Sequence, residues 1–265
     1  MRTLAIAAAV VIAGTGSAGT GWAASRALVT AAQDFKVGAH PTIIIDSSAG
    51  GVELTAGPAG AVHVDMERKA ETEDQARKLD VQVKQDGNTI RIKFDHKNHG
   101  MFENASVNFK ITAPADSKLE VETGGGGVSA RGFSGGIKVE TGGGGIDVDG
   151  ATGAMNLRSG GGSIEARHVH GTVDVSTGGG SVRVEGTLAG KNRVETGGGS
   201  IHVAIPASSK LAVDASTGGG SAHNDFGIPD DGERHSGRFR GNIGDGSSGS
   251  LEIRTGGGSI SLAKM

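Results

Sequence analysis

Several residues in this chain stand in patterns that could do chemistry. Ser134 lies in Gly132-Phe-Ser-Gly-Gly136, which by its letters is a nucleophile elbow for acyl transfer. That chemistry needs a strand-to-helix turn and partner His and acid groups, whereas this serine stands in a Gly-rich turn between two strand-like stretches. The run Gly142-Gly-Gly-Gly-Ile-Asp147 matches one copy of a calcium-binding nonapeptide. Such sites need the Asp on consecutive turns, and the equivalent positions here are Ser129, Glu165, Arg183 and His202. A basic residue in that file argues against cations. His168 and His170 would share a strand face, and His96 and His99 are a second close pair. Two imidazoles without a third ligand make a solvated edge rather than a metal centre. Asp147, Glu165 and Arg183 could supply paired acids and a base for glycan cleavage, yet the same alternation of charge simply stabilises adjacent strands. Two Gly-rich segments, Gly14 to Gly19 and Gly186 to Asn192, resemble nucleotide loops only in part, without the strand and helix context such loops need. No catalytic, cofactor-binding or metal-ligating residue is assigned, and no cofactor is implied.

The elements that carry these residues are set by a repeat. Gly-Gly-Gly, each time after Thr or Ser, begins at Gly124, Gly142, Gly160, Gly178, Gly197, Gly218 and Gly256. The first intervals are 18 residues and the later ones longer, a period that marks stacked backbone units. On each side of the glycines apolar and polar residues alternate, as in Ile137-Lys-Val-Glu-Thr-Gly-Gly-Gly-Gly-Ile-Asp-Val148. Period 2 is the pattern of a strand with one buried face. Such a unit has room for two short strands and two turns, and it cannot bury its apolar face alone. Stacked, Val121, Val139, Leu157, Val175, Val194 and Ile253 make one internal column, and Val128, Ile146, Ile164, Val182, Ile201 and Ile260 another. The expected fold is an all-β β-solenoid. The glycines are expected to serve sharp bends through positive φ or close backbone approach. The preceding Thr or Ser is expected to form a hydroxyl ladder from rung to rung.

The ends depart from the repeat. Ile43 to Leu54 is a degenerate first coil, Val62 to Val64 alternates as a strand, and Glu71 to Leu79 reads as a short helix. Leu79 to Val83 and Thr89 to Phe94 read as strands joined through the hairpin signal Asp86-Gly-Asn88. Residues 1–24 read as a secretory signal: Arg2, an apolar stretch from Leu4 to Ala13, then small residues suited to cleavage. The expected domain map is one solenoid over 35–265. It comprises an N-terminal cap and first coils (35–115), regular rungs (116–221), a polar loop or edge hairpin (222–250) and a final rung (251–265). The chain has no Cys, which removes disulfides and thiolate metal sites. Its formal net charge of −3 gives no global case for nucleic acid. No second apolar run is long enough to hold the chain in a membrane.

Three features together resemble a bacterial family of exported β-solenoids called putative adhesins, a domain of unknown function. They are the repeated Val-Glu-Thr-Gly-Gly-Gly-Ser-Ile unit, the stretch from Val62 to Phe94, and the ending from Gly241 to Leu262. The resemblance covers the chain from about residue 35 onward. It departs in being richer in glycine than the Ser-Ser-Gly often found at the family's bends. It implies the solenoid fold and export, and no catalytic residues. The expected role is a periplasmic or surface-exposed solenoid that binds or scaffolds a cell-envelope component, protein or glycan, without catalysis. The alternative, from another class, is a polysaccharide-active enzyme using the outward carboxylates. Absence of Tyr, and of any Trp beyond Trp22, weakens it by removing sugar-stacking platforms. A third reading is a sensor of envelope stress acting through protein contacts.

Overall fold

The computed structural model describes residues 27–95, 105–229 and 237–265. The proposed signal segment, His96 and His99 lie outside that set. The described residues fold into one continuous 21-stranded sheet wound into a flattened coil, so the all-β solenoid expected from the repeat is what forms.

The chain enters as β1 (Ala27–Lys36) and makes a first coil of β2 (Thr42–Ser47) and β3 (Val52–Gly57). It then builds β4 (Ala61–Ala70), a one-turn-and-a-half helix α1 (Glu73–Lys78), and the hairpin β5 (Val81–Asp86) and β6 (Thr89–Phe94), followed by β7 (Ser106–Pro114). Regular coils follow: β8 (Lys118–Thr123) with β9 (Val128–Arg131), and β10 (Ile137–Thr141) with β11 (Ile146–Asp149). β12 (Thr152–Ser159) leads into the long β13 (Ile164–Thr177), which serves two coils, then β14 (Val182–Leu188), β15 (Gly190–Thr196) and β16 (Ile201–Ile205). The last strands are β17 (Leu211–Thr217), β18 (Ala222–Asn224), β19 (Gly237–Ser247), β20 (Gly249–Thr255) and β21 (Ile260–Lys264).

Successive coils lie parallel with repeat on repeat. Leu119, Ile137 and Met155 are neighbours, as are Val128, Ile146 and Ile164. Both apolar columns read from the sequence form in that register, and their members are buried in a single core. Side chains of Val, Ile or Leu size contribute about 1.5–3 kcal/mol each when fully buried. No single coil therefore stands alone, and the stack does.

Sequence order and spatial order part company at both ends. The first coil, β2–β3, is second in space: β6 and β7 pair on its outer side, β8 and β9 on its inner side. At the other end β20–β21 does not lie outermost. It is inserted between β15–β16 and β17–β18. Antiparallel strands close the stack: β5 on β6, β4 on β7 with β1 beyond it, and β19 on β17. The polar region expected at 222–250 thus contains a short rung strand, β18, and an antiparallel edge strand, β19. Period alone could not show the insertion, because every coil carries the same register signal.

Helix α1 starts with a reciprocal capping box between Thr72 and Gln75. Glu73 and Asp74 in its first turn and Arg77 and Lys78 in its last complement the dipole. Its buried Ala76 faces the core, and the helix packs on β1 and β4. A short helix needs all of this, since one of six residues is marginal without tertiary support.

Candidate functional site

The glycine runs form one narrow edge of the coil, and their chemistry is spent on the backbone. A Cβ on Gly142 would sit 2.2 Å from the Gly124 carbonyl oxygen, and one on Gly144 would sit 2.1 Å from that of Gly126. The middle residue, Gly143, would meet nothing within 4 Å. None of the glycines in the seven runs has positive φ; Gly132 at +80° and Gly150 at +66°, which are left-handed, lie in the opposite bends. Close approach, not left-handed backbone, is therefore why the runs need glycine.

The hydroxyls also act differently from a simple ladder. Thr141 Oγ1 accepts from the Gly144 N–H (3.1 Å) in its own bend and donates to the Gly126 carbonyl one coil back (2.9 Å). Ser159 repeats this with Gly162 (2.9 Å) and Gly144 (2.8 Å). Hydroxyl and glycine backbone alternate through the stack, which satisfies these buried polar groups without water. A hydroxyl file does exist one step outward, where the Ser181, Ser200, Ser259 and Ser221 N–H groups each bond the serine Oγ of the adjoining coil.

Outward side chains form charged columns on both faces. On the face of β11 and β13, Ser129, Asp147, Glu165, Arg183 and His202 stand in register, as the sequence suggested. Asp147 is bracketed by Arg131 (3.3 Å) and Arg167 (3.2 Å), and Glu165 by Arg167 (3.6 Å) and Arg183 (3.9 Å). Arg167 is held above its ordinary pKa first by Glu165 and then by Asp147. Carboxylates spaced by guanidiniums are charge-paired, not the unequal acid pair that glycan hydrolysis uses. The opposite face is built alike, with Arg158 on Asp174 (3.5 Å), Arg193 on Glu195 (2.7 Å) and Arg254 on Glu252.

The outer face of β3, β9 and β11 dips into an open trough where Gly51, Gly127 and Gly145 replace the serine of other bends. Glu53, Glu67, Lys110, Arg131, Asp147 and Glu165 border it. The Ser129 hydroxyl is out of solvent there without a hydrogen-bond partner among the described residues. The Gly-for-Ser change is visible in the sequence, but periodicity does not show that β7 and β4 border these bends, which follows from the pairing of β7 with β3 and of β4 with β7.

These coils match a known family model, Toastrack DUF4097, over residues 134–263. That stretch belongs to the Toastrack family. No curated protein matches the chain. Solved structures similar to it include a putative cell adhesion protein from Clostridium sporogenes: 15% identity, 88% of this chain and 99% of that one covered, TM-score 0.35. A putative adhesin from Bacteroides fragilis is 16% identical over 90% and 98% of the two chains, with TM-score 0.41. A putative lipid binding protein from Parabacteroides distasonis is 13% identical over 89% and 96%, with TM-score 0.41.

Within the Toastrack stretch, Ser134 stands in a bend between two strands with its hydroxyl on the Ala115 carbonyl (3.2 Å). No helix follows it, so no nucleophile elbow forms. The Gly186 to Asn192 segment joins β14 to β15 directly, and Asn192 turns inward, buried. His168 and His170 fall within strand β13, beside a bulge where His168 takes φ +51°. Both are exposed, and His168 Nδ1 lies 2.7 Å from Asp149, whose carboxyl that bond lowers below its usual range. Among the described residues no cluster of three or more His, Asp or Glu could hold a metal ion, and no helix is long and apolar enough to cross a membrane.

Asn192 is the residue the sequence reading missed. It occupies an inward position taken by Val173 and Leu251 in the adjoining coils. Its Oδ1 accepts from the Val173 N–H (3.0 Å) and its Nδ2 donates to the Ser250 carbonyl (3.1 Å). Only a break in the apolar column at 192 could have signalled it.

Proposed function

We propose that the chain is an exported β-solenoid of about 18-residue rungs that works by surface contact, binding or scaffolding a cell-envelope component. In this reading residues 1–24 are removed on export to the periplasm or cell surface, and 35–115 cap the stack. The regular rungs of 116–221 and the final rung present the contact face. The observation that supports it is the register that holds Asp147, Glu165 and Arg183 in one outward column. A repeating line of side chains suits extended contact with a protein or glycan surface better than capture of one small molecule. The trough beside Asp147 and Glu165, where that face meets β3, β4 and β7 of the cap, is the part best shaped to meet a partner.

The test is retention of the purified chain, lacking residues 1–24, on envelope fractions pretreated with protease or with glycan-degrading enzymes. Expected is retention abolished by one pretreatment, and reduced severalfold in an Asp147→Lys, Glu165→Lys variant that stays folded. Equal retention of variant and parent, or none of either, overturns the reading.

A further inference from the structure

The coil that is last in sequence occupies an internal slot. β20 lies between β15 and β17, with Arg193, Glu252 and Asp214 side by side, and β21 lies between β16 and β18. Its hydroxyl contacts bind both neighbours: Thr255 Oγ1 donates to the Gly199 carbonyl (2.7 Å), and Thr217 Oγ1 donates to that of Gly258 (2.6 Å). The bends of this coil and its neighbours are alike, and one contact is peculiar to it: Gly249 stacks on Gly190 with no room for a Cβ, where β17 has Leu211. Thr196-Gly-Gly-Gly-Ser200, Thr217-Gly-Gly-Gly-Ser221 and Thr255-Gly-Gly-Gly-Ser259 present the same donors and acceptors. The slot is therefore fitted by this coil and not by the direct approach of its two neighbours, because Leu211 in the place of Gly249 would meet the Gly190 carbonyl.

The inserted coil is attached to the rest through one short crossover. Ser248 bonds the Lys210 carbonyl (2.8 Å) and its own carbonyl accepts from the Gly190 N–H (2.8 Å). Glycines at positive φ flank it, Gly244 at 59°, Gly246 at 69° and Gly249 at 143°. A single connection with backbone able to reverse is the hinge that exchange of an element between copies requires.

We propose that the β20–β21 coil is exchangeable and that a second copy of this chain can supply it, linking molecules through the slot between β15–β16 and β17–β18. The contacts made in trans are those made in cis, so exchange alters only the crossover, and protein concentration decides the balance. This does not rest on the surface-binding reading.

The chain has no cysteine, so introduced thiols report cleanly. Arg193→Cys and Glu252→Cys chains are co-refolded at high concentration and treated with a short thiol cross-linker. The control pair is Arg193→Cys with Asp174→Cys, neighbours in the same register but on coils that cannot swing out. The double variant Arg193→Cys, Glu252→Cys shows whether the two positions meet within one chain. Expected are efficient linkage within the double variant and severalfold more covalent dimer from the exchangeable pair than from the control. Equal dimer from both pairs, or none from either, while the double variant links internally, overturns the proposal. Failure of the double variant to link internally overturns it too, since the slot is then not where β20 lies.

Discussion

Gly143 and Gly144 are adjacent and identical in sequence, but only the second touches its neighbour coil. Gly144→Ala pushes a methyl into the Gly126 carbonyl and should cost about 1–3 kcal/mol, as overpacking does. Gly143→Ala points into open space and should be neutral or stabilising by up to about 1 kcal/mol, through a less flexible unfolded chain. Urea midpoints of the two variants check this; equal losses would refute the close-approach account. Asn192→Ala should cost about 1–3 kcal/mol, because it orphans the buried Val173 N–H and weakens the tie to Ser250. Hydrogen exchange should then speed up in β20 more than in β10. At this scale the sequence was informative about which residues were structural, and it left two reasons open for the glycines, of which close approach holds in the runs. The repeated glycines announced a bend, but their division into two crowded and one free position depends on where the adjoining coil's carbonyls fall. Asn192 was hidden for a similar reason, since its partners are brought in by coils on both sides of it.

Strand β1 is the outermost strand at the first end, held to β4 in a ten-residue register. His63 on β4 clamps it, with Nδ1 2.7 Å from Asp34 of β1 and Nε2 3.2 Å from Asp65 of its own strand. The Asp34 hydrogen bond, aided by both carboxylates, raises the His63 pKa above 6.5 against a smaller opposing effect of burial. Lys110 and Thr112 of β7 flank it in register. The stabilisation is complete below about pH 6.5 and is lost as pH rises through the raised folded-state value. His63 is partly exposed, so the effect should be within about 1 kcal/mol. Amide exchange of β1 should therefore accelerate with pH beyond the intrinsic chemical rate, and His63→Gln should remove that excess. Exchange that follows only the intrinsic rate would count against the clamp. The hairpin and helix of the first end were legible from Asp86-Gly-Asn88 and the polar run at 71–79, because local turn and capping chemistry sets them. β1 was not: Ala27 to Lys36 has little alternation, and it becomes a strand only because β4 leaves it an edge to pair with.

Taken as a whole, the molecule behaves as a stack with matched neighbours, and that makes it divisible. Removing residues 146–163 joins Gly145 to Ile164, which already occupies the place of Ile146 in the adjoining coil. The shortened chain should fold cooperatively with a lower urea m-value, since m follows the surface exposed on unfolding. Collapse to an unfolded or aggregated chain would show that the coils are not interchangeable. The stack itself was legible from period and alternation; its order was not, because identical units give no hint of which lies beside which. The inserted last coil also sets a schedule. β17 and β18 are synthesised before β20 and β21, so for a time they have only β15 and β16 to lie against. If they settle on those strands first, the final coil has to reopen that contact, and its arrival is a rearrangement instead of an addition. Folding of this chain should show a late phase that vanishes when the order of its last two coils is reversed by permutation.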